Sequence, residues 1–151
     1  MEDPKSWIGK ETPEYTFEVE KGNILDFALA IGDLDPMFHD EEYAKKTRLG
    51  GIIASNTFSH AFRGDKTALI RAIPKIGARI PQKNLHGEHE IEYFKPLHPG
   101  DKISFKFKFV DIFEREGKKS GMMDVFVLEA PCYNQNKELV LKYRQTFVTR
   151  R

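Results

Sequence analysis

FALAIGDLDPMFHDEEYAKKTRLGGIIASNTFSHAF, residues Phe27 to Phe62, holds nearly all the chemistry that this 151-residue chain offers. From Lys21 onward, apolar side chains fall at Ile24, Phe27, Ala28 and Ile31, the spacing that lines one face of a helix, and Gly32 is a natural stop just past its end. The helix leads into a loop carrying Asp33, Asp35 and His39. There Asp35-Pro36 favours a turn, and Asp40 is placed to cap a brief helix through Glu41, Tyr43 and Ala44. Gly50-Gly51 breaks the chain again. Phe58, Ala61 and Phe62 then supply the apolar stripe of a helix starting near Asn56 or Thr57, the best candidate for a buried centre. An acid and a base beside a helix N-terminus are what is needed to move a proton and stabilise a developing oxyanion.

Outward from this stretch, the chain reads as scaffold. Residues 1–14 are polar with two prolines, an arm that packs only through Trp7 and Ile8. Tyr15, Phe17 and Val19 alternate with polar residues as a first strand. Residues 64–84 carry too many prolines and glycines for one regular element and are expected as a helical continuation followed by an irregular loop. After Leu85 the period changes to two: Leu85 to Tyr93, Ile103 to Phe109, Met123 to Val127 and Leu139 to Phe147 predict four long strands in an antiparallel meander. One strand, helices and then strands with one apolar face each predict an α+β domain spanning residues 1–151, its sheet curled around the helix near Thr57. An exposed aromatic edge or sheet back favours a dimer.

Composition narrows the function. With 24 Lys plus Arg against 23 Asp plus Glu, no global field points to nucleic acid. The one cysteine, Cys132, excludes an internal disulfide framework, no apolar run has membrane length, and the N-terminus lacks the apolar core of a signal peptide, so a cytoplasmic setting is expected. Twelve phenylalanines fit a core built on aromatic sheet residues or a partly apolar ligand channel.

The order of the acid loop GDLDPMFHD, the Gly-Gly-x-x-Ala segment with its Thr-Phe helix start, and LHGEHEIEYFKPLHPGD before a basic-aromatic strand resembles the MaoC-like dehydratases of the hot-dog fold, closest to their N-terminal-type, fatty-acid-synthase-like branch. The likeness spans roughly residues 10 to 149. It implies an antiparallel sheet wrapped around a central helix. It also implies reversible hydration of a trans-2-enoyl thioester to a (3R)-hydroxyacyl thioester, with no cofactor beyond the coenzyme A or acyl carrier protein of the acyl-CoA or acyl-ACP substrate. By the same resemblance Asp33 and His39 are the catalytic acid/base pair, and the backbone near Ser55, Asn56 and Thr57 binds the thioester oxygen. The family's histidine comes five residues after its Asp; here that position is Phe38, and His39 is one residue late. One residue on a helical turn rotates a side chain by about 100°. The resemblance therefore also admits a non-catalytic acyl-thioester-binding subunit that pairs with a second hot-dog chain, as homodimer or heterodimer, or a thioesterase on the same fold.

Blander roles stand beside these. Asp33 is also a plain helix terminator, and Asn56 and Thr57 are N-cap types in their own right. His60 is read as a core histidine, and His86 and His89 fall on opposite faces of one strand by parity, against a shared metal site. Ser55 and Ser59 lack the setting of a serine nucleophile.

Overall fold

The computed structural model describes residues 3–62, 73, 84–117 and 121–150. Two helices, α1 (Lys21–Ile31) and α2 (Glu41–Lys45), and three short 3-10 turns (Pro4–Trp7, Pro36–Phe38, Phe58–Phe62) accompany six strands. The strands are β1 (Tyr15–Glu18), β2 (Asn84–Tyr93), β3 (Lys102–Phe105), β4 (Lys108–Gly117), β5 (Gly121–Tyr133) and β6 (Leu139–Arg150). All pair antiparallel in one sheet of order β1-β3-β5-β6-β2, with β4 also on β5. The irregular stretch expected over residues 64–84 falls, Ile73 and Asn84 apart, outside the described residues, as does the continuation of the helix expected from Thr57.

The sheet departs from a simple meander. Only β4, β5 and β6 follow one another as neighbours; β2 lies beside β6 at the far edge, and β3 beside β1. The segment after β2 crosses the end of the sheet instead of turning back on β2. It is held there by Ala54 N–H on the Leu97 carbonyl (2.9 Å), Gly100 N–H on the Val19 carbonyl (2.8 Å) and Val19 N–H on the Asp101 carbonyl (2.8 Å).

The strand expected through Phe109 runs on to Gly117 and is broken into β3 and β4 at Lys106-Phe107. Phe105 faces Cys132 and Lys108 faces Glu129, so the register on β5 carries through the break. The N-terminal arm causes the interruption. Thr12 N–H donates to the Phe107 carbonyl (2.8 Å), and the Thr12 hydroxyl accepts the Phe107 N–H (3.0 Å). Gly9 and Lys10 bond both backbone groups of Phe109. The arm thus acts as extra sheet, beyond the two side chains expected of it. Trp7 is buried against Phe109 and Phe126, whereas Ile8 is 46% exposed, contrary to expectation.

The core lies on one face of the sheet, against α1 and the Phe58–Phe62 turn. Phe58 is fully buried, with its ring 5.6 Å from Phe27 of α1 and 6.2 Å from Phe17 of β1; Phe62 lies 5.1 Å from Phe17 and 5.9 Å from Phe105. Burying one such side chain contributes about 1.5–3 kcal/mol. The aromatic stack therefore seats the segment leading into Phe58 firmly on the sheet.

Candidate functional site

Helix α1 positions both halves of the site. At its C-terminal end Gly32 adopts the left-handed conformation (φ 74°) that a helix-terminating residue needs and that glycine takes without strain. Asp33 N–H then bonds back to the Ala28 carbonyl at 2.9 Å, which starts the acid loop at a fixed point. One residue earlier on the helix, Phe27 packs on Phe58 and so fixes the Ser55–Thr57 segment.

The loop is braced from within. The Asp33 carboxylate accepts from the Asp35 N–H (3.2 Å), and the Asp35 carboxylate caps the Pro36–Phe38 turn through the Met37 N–H (2.8 Å). His39 closes that turn, donating its N–H to the Pro36 carbonyl (3.2 Å), and Asp40 caps α2 through the Tyr43 N–H (3.0 Å). Thr47 after α2 donates to the Ala44 carbonyl and lies against Met37 Sδ. Asp33, Asp35 and His39 are all exposed. No hydrogen bond or ion pair among the described residues joins Asp33 to His39. Phe38, by contrast, is half-buried and packs against the core.

On the other side of α1, Ser55 is 4% exposed with a hydroxyl that has no hydrogen-bond partner among the described residues, while Asn56 and Thr57 are exposed. The carbonyls of this segment are engaged: Ser55 accepts from Phe58 N–H, Thr57 from His60 N–H and from the His60 ring Nδ1–H, and Asn56 from the Tyr93 phenol at 2.8 Å. The N–H groups of Ser55, Asn56 and Thr57 bond nothing among the described residues. Three successive N–H groups without a partner among the described residues, at the start of a turn, are a ready donor set for an oxygen carrying negative charge. The sequence pattern did not single out Tyr93 as a part of the site. Its signal was there in parity, since Tyr93 and Ile91 alternate onto the core-facing side of β2. Burial raises the Tyr93 phenol pKa, which keeps the O–H in place as a donor.

The histidines are arranged differently from the parity expectation. A β-bulge between His86 and Glu88 shifts the register on β6 by one residue, so that His86 faces Phe147 and His89 faces Gln145. The two rings consequently lie 5.6 Å apart on one face, not on opposite faces. His60 stacks on His89 at 4.1 Å, and the edge of Tyr143 meets His89 at 4.2 Å. Among the described residues no group of three or more His, Cys, Asp or Glu is arranged to hold a metal ion.

A six-stranded antiparallel sheet carrying a buried aromatic turn and a capped acid loop on one face is the α+β hot-dog architecture of MaoC-like dehydratases. The chain belongs to the family described as the FAS1-like, dehydratase domain region, whose pattern matches residues 6–143. Among relatives, a UPF0336 protein from Saccharopolyspora erythraea is 29% identical over 147 residues, covering 97% of this chain and 90% of that protein. Two solved structures share the fold. One is the C-terminally truncated HadBC (3R)-hydroxyacyl-ACP dehydratase complex from Mycobacterium tuberculosis (22% identity, TM-score 0.78, 95% of this chain and 97% of that chain). The other is a MaoC-like dehydratase from Rhodospirillum rubrum (23% identity, TM-score 0.67, 95% and 93%). No helix among the described residues is long and apolar enough to cross a membrane.

Proposed function

We propose that this chain is the acyl-thioester-binding subunit of an enoyl-thioester hydratase, or (3R)-hydroxyacyl-thioester dehydratase, in which a second hot-dog chain supplies the proton-transfer pair. The observation that carries this reading is the packing of Phe38. At the position where the resemblance calls for the catalytic histidine, a phenylalanine turns onto the core, and His39 is left exposed without a bond to Asp33. A misplacement of about 1 Å can cost roughly a hundredfold in rate. The oxygen-binding half does not suffer from the shift, because its donors are the backbone N–H groups of Ser55, Asn56 and Thr57. They polarise the thioester carbonyl and stabilise the enolate that forms when water adds at C3 or when a proton leaves C2. HadBC, a two-subunit dehydratase of this fold, is consistent with such a division of labour.

A second reading has its own observation. Asp33 and His39 lie in one short loop whose backbone is pinned at both ends, and an apo loop does not exclude catalytic geometry that tightens around substrate. On that reading the chain hydrates enoyl thioesters alone, with Asp33 and His39 as the acid/base pair.

Addition of a dyad-bearing hot-dog chain separates the two. The first reading predicts hydration of crotonyl-coenzyme A only in the mixture, unchanged by Asp33→Asn with His39→Gln in this chain. Turnover by this chain alone that the same double substitution abolishes would replace it with the second. Release of free thiol in place of hydration would assign a thioesterase.

A further inference from the structure

The registers of β4, β5, β6 and β2 align side chains on the outer face of the sheet, the one turned away from α1 and the Phe58–Phe62 turn. Phe113 faces Val125, Val125 faces Val148 and Val148 faces Leu85, so one apolar row crosses four strands. Val125 is buried in its middle, whereas Phe113 and Leu85 at its ends are 39% and 70% exposed. One step along the strands, about 7 Å away, lies the row Arg115, Met123, Arg150; one step the other way lies the row Asp111, Val127, Thr146, Glu88. The apolar row therefore has a basic border on one side and an acidic border on the other.

A row beyond the acidic border, the charges are matched within the chain. Glu11 lies 4.0 Å from Lys108, Lys108 faces Glu129, Glu129 is ion-paired with Arg144, and Arg144 faces Glu90, which gives alternating signs from the arm to β2. Beside the apolar row the pattern differs. Arg115, Asp111 and Glu88 are exposed and make no ion pair among the described residues.

We infer that this face docks a second copy of the same chain, sheet on sheet, through the apolar row. Stacked sheets pack about 10 Å apart with their strands within about 30° of one another. A two-fold axis along the row lays the apolar row of one copy on that of the other. It also brings the basic border of each copy over the acidic border of its mate, with Arg115 above Asp111 on both sides of the axis. A two-fold axis along the strands instead lays like charges on one another. The change of sign across so narrow a strip also disfavours a partner of uniform charge, such as a nucleic acid or an anionic membrane. The surface is complementary to itself, as an isologous contact requires. It lies on the opposite face of the sheet from the Ser55–Thr57 segment and does not depend on the thioester-binding reading.

Sedimentation velocity of the full chain across the micromolar range tests the contact, with the wild type, Arg115→Asp, Asp111→Arg and the double variant that carries both. The wild type is expected to form a species of two copies or a multiple of two. Either single substitution sets like charges against each other at both Arg115-Asp111 contacts and is expected to raise the concentration of half-association about tenfold or more. The double variant exchanges the two signs and is expected to return toward the wild-type value. Circular dichroism checks that each variant is folded. A wild-type chain that stays monomeric throughout overturns the inference. Association that the single substitutions leave unchanged runs through another surface and overturns it too, as does a double variant that associates no better than the singles.

Discussion

The Tyr93 phenol donates to the Asn56 carbonyl at 2.8 Å, which ties the edge strand β2 to the segment whose N–H groups have no partner among the described residues. The bond orients the peptide unit between Asn56 and Thr57. Tyr93→Phe removes the donor and keeps the ring, so unfolding free energy is expected to fall by about 1 kcal/mol. Thioester affinity is expected to fall with it. Urea denaturation together with ligand titration checks this, and an unchanged affinity would mean that the brace serves folding only.

Asn56→Pro tests the donors more directly. Asn56 is the first central residue of the turn that the Phe58 N–H closes on the Ser55 carbonyl, a position that proline fits at the cost of one N–H. Removing a single oxyanion donor typically lowers turnover by about 10²–10³. The expected outcome is that drop in the hydratase assay with the partner chain present, at little cost in stability. Asn56→Ala, which keeps the N–H, is expected to retain activity.

Gly87 makes the bulge that brings His86 beside His89. A Cβ at this position would meet Val148 Cγ2 at 3.1 Å and the Thr146 carbonyl at 3.5 Å. Gly87→Ala is therefore expected to destabilise the chain by about 1 kcal/mol, at the low end for overpacking. Val148→Ala in the same chain is expected to recover part of the loss. Additive effects in the double-mutant cycle would show that the contact is not the cause.

Burial pushes the Cys132 thiol from an ordinary 9.0 up to about 12 and raises the Tyr93 phenol. Both groups bind their proton more tightly folded than unfolded. Their stabilisation is complete below the unfolded pKa and is lost as pH rises toward the folded value. For Cys132 the window runs from pH 9.0 to about 12. The expected result is a melting temperature that declines across that window, with a shallower decline in Cys132→Ala. The same burial predicts slow alkylation of the native thiol. An alkaline limb unchanged by the substitution would place its origin elsewhere.

Local patterns carried much of the fold. Ile24, Phe27, Ala28 and Ile31 marked α1, and Gly32 ends it in the left-handed conformation that its position suggested. Asp40 caps α2 as its spacing implied, and the period-two runs became β2, β5 and β6. Pairing across long sequence distances was not legible. Nothing in the alternation of Leu85 to Tyr93 says that β2 joins β6, or that Thr12 interrupts Lys106-Phe107, because those choices are made by partners far away in the chain. The bulge at Gly87 inverted the parity argument for His86 and His89, as one extra residue always does. In the candidate site the late histidine was visible as a spacing anomaly. That Phe38 fills the inward position followed only from the turn Pro36–Phe38 and its contact with the core.

The most direct measurement of the central claim uses this chain alone with crotonyl-coenzyme A, following the thioester carbonyl by infrared difference spectroscopy and the enoyl chromophore by ultraviolet absorbance in one sample. The thioester-binding reading predicts a carbonyl band shifted to lower frequency on binding, as donors at Ser55, Asn56 and Thr57 polarise it, with the chromophore undiminished until the partner chain is added. Steady loss of the chromophore without a partner, abolished by Asp33→Asn with His39→Gln, would contradict it and assign the acid and base to this chain.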